Sequence, residues 1–502
     1  MRTLQVGLNW IGLPRQVTES RLRPHIVPRL SCWHTASALQ PVIAEAPALT
    51  RATHGGTPAQ KNECDAASTR CGRRPMACTR SAISPRKRAP RARPLEFRRA
   101  LAIVVLAVQV ACGGGGAQDG TATVQPRLAS DTRPPIAVGL APASNVLPIH
   151  LDHGPRGEAF NVPFVSVTIC VPGTHECQTI DHVVLDTGSS GLRIAASALR
   201  KGLALPPVTI TGDAAGADVP VGQCMQFASG HTWGSVRRAN VQLGGQQGEA
   251  LAIQVFDDFT GPYATAPAAC SSSVALSRVL DANGILGVGL RRHDCGGSCE
   301  GETPLPIYFG CVEGGCTATA LARSAQVANP VAALAAHNNG VSIQMPEVPL
   351  GGARSITGVL VLGIATATNN QLGAARVFAP DDAGFLRATY KGATYLSFLD
   401  TGTNSVRFPD PELPECGSLY CPDQPTPLSI SVTAAEGQPQ TIDFTLESPA
   451  SLRVGTVGAR IGGGGPATPH VNFGLPFFFG RTVHVAIAGA PTQAGEGPYW
   501  AF

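Results

Sequence analysis

The chain has 502 residues, 43% hydrophobic and 14% charged, with 57 Gly and 42 Pro; this is a globular composition, long enough for two or three domains and a sizeable core. Its net charge of +4 averages two unlike parts: residues 1–99 hold 16 Arg and 2 Lys against 5 acids (+13), whereas residues 100–502 hold 20 bases against 29 acids (−9). The acidic part argues against nucleic acid as a partner, and the basic head reads as an export flank or a flank kept in the cytoplasm, not as a binding domain.

In chain order, residues 1–97 are rich in Arg and Ala and show no sustained period. A signal peptide seldom begins as late as the one that follows. The head is therefore expected to be disordered or to lie outside the natural protein, with translation starting near Met76 or just before Arg98. Residues 98–112 read RRALAIVVLAVQVAC. Two Arg precede an apolar run of about a dozen residues, too short for a comfortable membrane span and suited to a signal-peptide core. The sequel GGGGAQDG opens a flexible tether over 113–144. The segment resembles a bacterial lipoprotein signal, with Cys112 as the lipidated residue, although Gln109 stands where such signals usually carry Leu. Ordinary cleavage nearby and a retained single anchor are the alternatives. The expected location is the cell envelope, facing the periplasm or the exterior, with membrane contact only through the N-terminal lipid.

After residue 145 strand-like runs dominate and long helical periodicity is scarce. Ten cysteines follow Cys112: Cys170, Cys177, Cys224, Cys270, Cys295, Cys299, Cys311, Cys316, Cys416 and Cys421. An even set after an export signal reads as disulfides in an oxidising compartment. Four close pairs suggest themselves (170–177, 295–299, 311–316, 416–421), leaving 224–270; spacing alone does not fix this connectivity. A zinc site is the rival reading, but no His accompanies these Cys at ligand spacing.

The informative segment is HVVLDTGSSGLRI, residues 182–194. An apolar strand (Val183, Val184, Leu185) delivers Asp186 into a Thr187-Gly188 turn, with Ser189 next. Much later comes YLSFLDTGTNSVRFP, residues 395–409. Phe398 and Leu399 lead to Asp400, Thr401 and Gly402, with Thr403 next. A duplicated carboxylate has a chemical rationale. One carboxylate cannot be both base and acid in peptide-bond hydrolysis, but two held about 3 Å apart cannot both ionise and so share a proton. The ionised one takes a proton from water, and the protonated one donates to the carbonyl oxygen. The Gly permits the tight turn, and each inward Thr hydroxyl can bond the opposite loop.

These two copies match the D-T-G-[ST] pattern, and the chain resembles the pepsin-like aspartic peptidases over roughly residues 145–502. Four further segments fall in that family's order. FVSVTICVPGT (164–174) resembles the leading hairpin, and CMQFASGHTWGSVRRANVQLGG (224–245) the flap hairpin. NGILGVGL (283–290) and VNFGLPFFFGRTVHVAI (471–487) resemble the apolar-apolar-Gly elements that thread behind the first and second Asp-Thr-Gly. GVLVLGI (358–364) resembles the strand opening the second lobe. A closer pattern, NVPFVSV…DTGSSGLRI…GILGVGL…DCGG…C…NPV…GLPFFFGR…GPYWAF, resembles a bacterial lipoprotein family known only as a domain of unknown function.

The resemblance implies an all-β fold of two lobes related by pseudo-twofold symmetry, about 145–345 and 346–502, with a cleft between them. It implies an aspartic endopeptidase with Asp186 and Asp400 as one dyad, no metal or organic cofactor, a peptide or protein substrate, and a monomer. Thr187 and Thr401 would brace the loops; Ser189 and Thr403 would bond the carboxylates. Two family features are changed together. The flap Tyr is Phe227, in Phe227-Ala228-Ser229-Gly230, and the Trp it bonds is Arg193. Arg193 is open to two readings, a contact to an acidic substrate group or a solvated surface residue. A silent scaffold that binds peptide or glycan, or serves as a structural partner, is the alternative function, because fold alone does not give activity. His182, His293-Asp294 and Trp233 read more simply as a strand-end polar residue, a disulfide-closed insertion and half-buried packing than as functional groups.

Overall fold

The computed structural model describes residues 135–139, 141–212, 216–270, 273–435, 437–464 and 468–502. The basic head, the signal segment with Cys112 and most of the tether lie outside these residues. The described region is all-β, as expected: one seventeen-stranded sheet, one nine-stranded sheet and a two-stranded ribbon. Among the described residues the only α-helix is Leu475–Phe478.

The first lobe is built on β1 (Phe164–Cys170), β2 (Cys177–Asp186), β3 (Ser190–Ala195), β4 (Asp218–Phe227), β5 (Gly230–Leu243), β6 (Gln246–Phe256), β7 (Gly284–Val288) and β8 (Tyr308–Val312). The second uses β9 (Ala393–Leu399), β10 (Val406–Phe408), β11 (Gly462–Gly464) and β12 (His470–Phe473). Val183, Val184 and Leu185 are buried on both faces of β2, which is why that strand reads as a continuous apolar run rather than an alternating one.

The two lobes repeat one pairing pattern. The strand ending in Asp lies parallel to a later strand: β2 on β7, with Val184 opposite Ile285, and β9 on β12, with Phe398 opposite Asn472. The strand leaving each loop runs antiparallel to that same partner, placing Arg193 opposite Ile285 and Arg407 opposite Asn472. It also pairs in parallel with one more strand, β3 on β6 and β10 on β11. The threading strands pass so close behind the loops that only glycine fits. A Cβ on Gly287 would lie 2.8 Å from the Ser190 carbonyl carbon, and one on Gly474 would lie 2.2 Å from the Ser405 oxygen.

Strands from both parts of the chain knit the lobes into one block. Val146–Leu151 pairs with Ile356–Leu362, which pairs with Gly340–Gln344, then Thr482–Ala486, then Tyr499–Ala501. Five disulfides close the loops: Cys170–Cys177, Cys224–Cys270, Cys295–Cys299, Cys311–Cys316 and Cys416–Cys421. They are the pairs expected from spacing, and they suit an extracellular or periplasmic setting. Among the described residues no helix is long and apolar enough to cross a membrane.

Candidate active site

Each Asp-Thr-Gly turn folds its carboxylate back onto its own backbone. Asp186 Oδ1 accepts from the Gly188 N–H at 2.8 Å, and its Oδ2 accepts from the Ser189 hydroxyl. Asp400 Oδ1 accepts from the Gly402 N–H at 2.9 Å, and its Oδ2 from the Thr403 hydroxyl at 2.5 Å. The two turns are then locked to each other. Thr187 N donates to Thr401 Oγ1 and Thr401 N to Thr187 Oγ1, both at 3.0 Å. The same hydroxyls donate to the Leu399 carbonyl at 3.1 Å and the Leu185 carbonyl at 2.6 Å. Four hydrogen bonds inside a dry core leave the loops little freedom to separate. Asn161 adds a strut to the second loop: its amide donates to the Asn404 and Ala459 carbonyls, both at 2.8 Å.

Both carboxyls are wholly buried, at 0% exposure. Burial pushes the Asp186 carboxyl well above its ordinary range. The charge of Asp400 and the hydrogen bond between the two carboxyls push it further, against the pull of Ser189 and Gly188. Asp400 is also raised by burial, but hydrogen bonds from Thr403, Asn472, Asp186 and Gly402 hold it back. The protons of such a pair come off in steps that belong to the pair.

The β4–β5 hairpin turns at Ala228-Ser229, with Phe227 opposite Gly230. Its tip is docked rather than free-standing. His231 N donates to the Val274 carbonyl at 2.9 Å, and a Cβ on Gly230 would sit 2.4 Å from that oxygen. The Cys224–Cys270 bridge staples the same hairpin lower down. Phe227 is buried with Phe164, Met225, Leu276 and Ile285.

Arg193 corrects the sequence reading. It is neither a surface residue nor a group open to substrate, because it is wholly buried and ion-paired to Asp294 at 2.8 Å. Asp294 also accepts from Gln223 at 2.5 Å and from Tyr308 at 2.6 Å, and Arg193 donates to the Ser190 carbonyl at 3.1 Å. A buried guanidinium is tolerated only with such partners. Its Cζ lies 5.6 Å from the Phe227 ring centroid, a cation over a ring.

Residues 141–502 match the model of a family described as a protein of unknown function (DUF3443). The chain belongs to this family. No curated protein matches it. Among solved structures, it is similar to an aspartic proteinase from Irpex lacteus, with 14% identity, a TM-score of 0.41, and coverage of 72% of this chain and 97% of that one. The fold assignment rests on the strand pairing described above.

In this family member the remaining residues singled out from sequence have structural explanations. Asp294 is the partner of Arg193, carried at the mouth of the Cys295–Cys299 loop. Trp233 is buried beside Phe309 and donates to the Tyr263 carbonyl at 2.9 Å. His182 meets Asp152 at 3.2 Å; it lies within β2 rather than at its end, at an irregularity in the pairing with β1. One residue was missed. Asn472 donates to Asp400 Oδ2 at 3.0 Å and to Thr403 Oγ1 at 2.9 Å. Its signal was present in sequence: Asn472-Phe473-Gly474 puts a polar residue where Ile285-Leu286-Gly287 has an apolar one.

Proposed function

We propose that this chain is an aspartic endopeptidase of the bacterial cell envelope, hydrolysing peptide bonds through the Asp186/Asp400 pair. The observation that carries the reading is a pair of buried carboxyls, hydrogen-bonded to each other and held by reciprocally bonded Asp-Thr-Gly loops. Such a pair holds one proton between two groups. The ionised member takes a proton from a water molecule as the water oxygen attacks the carbonyl carbon. The protonated member gives its proton to the carbonyl oxygen. In collapse, the first returns a proton to the leaving nitrogen as the C–N bond breaks, and the second regains one from the diol. An extended peptide would lie across the cleft beneath the β4–β5 hairpin. Because both carboxyls are at 0% exposure, substrate entry requires part of the cover to swing aside. The five disulfides and the lipoprotein-like signal support a site on the exported side, with Cys112 as the lipid attachment point.

The same burial favours a second reading, a silent envelope protein that grips peptide or glycan, or acts as a structural partner. Digestion of a denatured protein across pH 3–7, with and without a transition-state-mimicking aspartic inhibitor, separates the two. Inhibitor-sensitive cleavage supports the peptidase, and its absence at every pH supports the silent form.

A further inference from the structure

The two halves of the site match donor for donor except at one position. Each carboxylate accepts a backbone N–H two residues on and a hydroxyl three residues on. Asp400 accepts one more, from Asn472. The pairing register makes Ile285 the counterpart of Asn472, since Val184 and Phe398 stand at matching positions before their aspartates. Ile285 gives Asp186 no donor and packs instead into the apolar cluster with Phe164, Val184 and Phe227. The pseudo-symmetry of the pair is therefore broken by a side chain 1% exposed, set in the middle of a strand.

We propose that Asn472 is a positioning residue that assigns the roles within the pair, keeping Asp400 as the base and leaving the shared proton on Asp186. This rests on the peptidase reading for its consequence in turnover, but not for its test. An amide donor stabilises a carboxylate over a carboxylic acid. Asn472 acts twice: directly on Asp400 Oδ2, and through Thr403, whose hydroxyl accepts from the amide and so directs its own proton onto Asp400. On the other side, the apolar face around Ile285 removes water from Asp186 without offering a donor in return. The charged and titratable groups on elements packed against Asp400 are Asp186, on the opposite loop, Arg407, the cross-strand neighbour of Asn472, and His470, on the same strand as Asn472 and opposite Leu396. None of them is altered in Asn472→Ile or Asn472→Ser, the variants whose titrations are compared; Asp186→Asn serves only to assign the signals.

The test replaces Asn472 by the residue of the other half, Asn472→Ile, with Asn472→Ser as a smaller polar variant that guards against misfolding. Each carboxyl is followed by carbon-13 NMR titration of the intact protein, assigned with Asp186→Asn and Asp400→Asn. In Asn472→Ile the Asp400 carboxyl is expected to titrate about one pH unit higher. The acid limb of any peptidase activity should move by the same amount, while KM holds. Asn472→Ser should fall between. The double variant Ile285→Asn/Asn472→Ile should move the lower-titrating carboxyl to Asp186. An unchanged or lowered Asp400 titration in Asn472→Ile overturns the proposal. A raised titration in a protein with no peptidase activity upholds the assignment and defeats the enzymatic reading instead.

Discussion

The reciprocal threonine lock gives the sharpest prediction about what holds the two halves together. Thr187→Val keeps the shape of the side chain and removes its hydroxyl. Two bonds disappear, to the Leu399 carbonyl and from the Thr401 N–H. Both groups are buried, and each orphaned buried group costs about 1–3 kcal/mol, so the variant should lose about 4 kcal/mol. Thr187→Ser keeps the hydroxyl and should lose only about 1 kcal/mol, the value of one buried methyl. Thr401→Val removes the other two bonds and should resemble Thr187→Val. The double variant should cost less than the sum of the singles by about 1 kcal/mol or more, because either one alone already loosens the shared contact. Urea unfolding of the five proteins measures this. A loss below about 1 kcal/mol for Thr187→Val, or strict additivity, would refute the claim that the lock is one coupled unit.

Two further predictions concern buried charge. Arg193→Met strands the Asp294 carboxylate with only uncharged partners, Gln223, Tyr308 and the Cys295 backbone. It should cost about 3–5 kcal/mol, and adding Asp294→Asn should recover much of that loss. No recovery on urea unfolding would sink the ion-pair account. His484, bonded to Ser342 at 2.7 Å, is held by burial at about 4, below its ordinary 6.5. The unfolded chain takes up a proton below 6.5 that the folded one refuses, so stability is lost as pH falls from 6.5 towards 4. His484→Gln should soften that loss by roughly 2–3 kcal/mol. An identical pH slope in the variant would contradict the assignment.

The aspartate loops were legible in sequence because their requirements are local. An apolar strand, an Asp, a hydroxyl residue and a turn glycine occupy consecutive positions, and the motif occurs twice. Four disulfides were legible for the same reason, their partners lying within seven residues, and the fifth followed by elimination. Arg193 was not. Its partner Asp294 is 101 residues away, and no spacing connects β3 to the loop after β7. Nor was it legible that the Arg193 guanidinium sits over the Phe227 ring. Asn472 sits in a segment, 471–487, that resembles an apolar-apolar-Gly threading element, which masks its polar role. It is the one polar residue of Val471–Phe473, and set against Ile285 it is where the two halves of the site differ in chemistry.

The central claim is that Asp186 and Asp400 hydrolyse peptide bonds together. The most direct measurement is the rate of cleavage of a denatured protein between pH 3 and 7 by the native chain, Asp186→Asn and Asp400→Asn, each with and without the transition-state-mimicking inhibitor. The account predicts inhibitor-sensitive cleavage by the native chain and its loss in both variants, each of which leaves a single carboxylate without the shared proton. Cleavage that survives either substitution, or no cleavage by the native chain at any pH in that range, would contradict it.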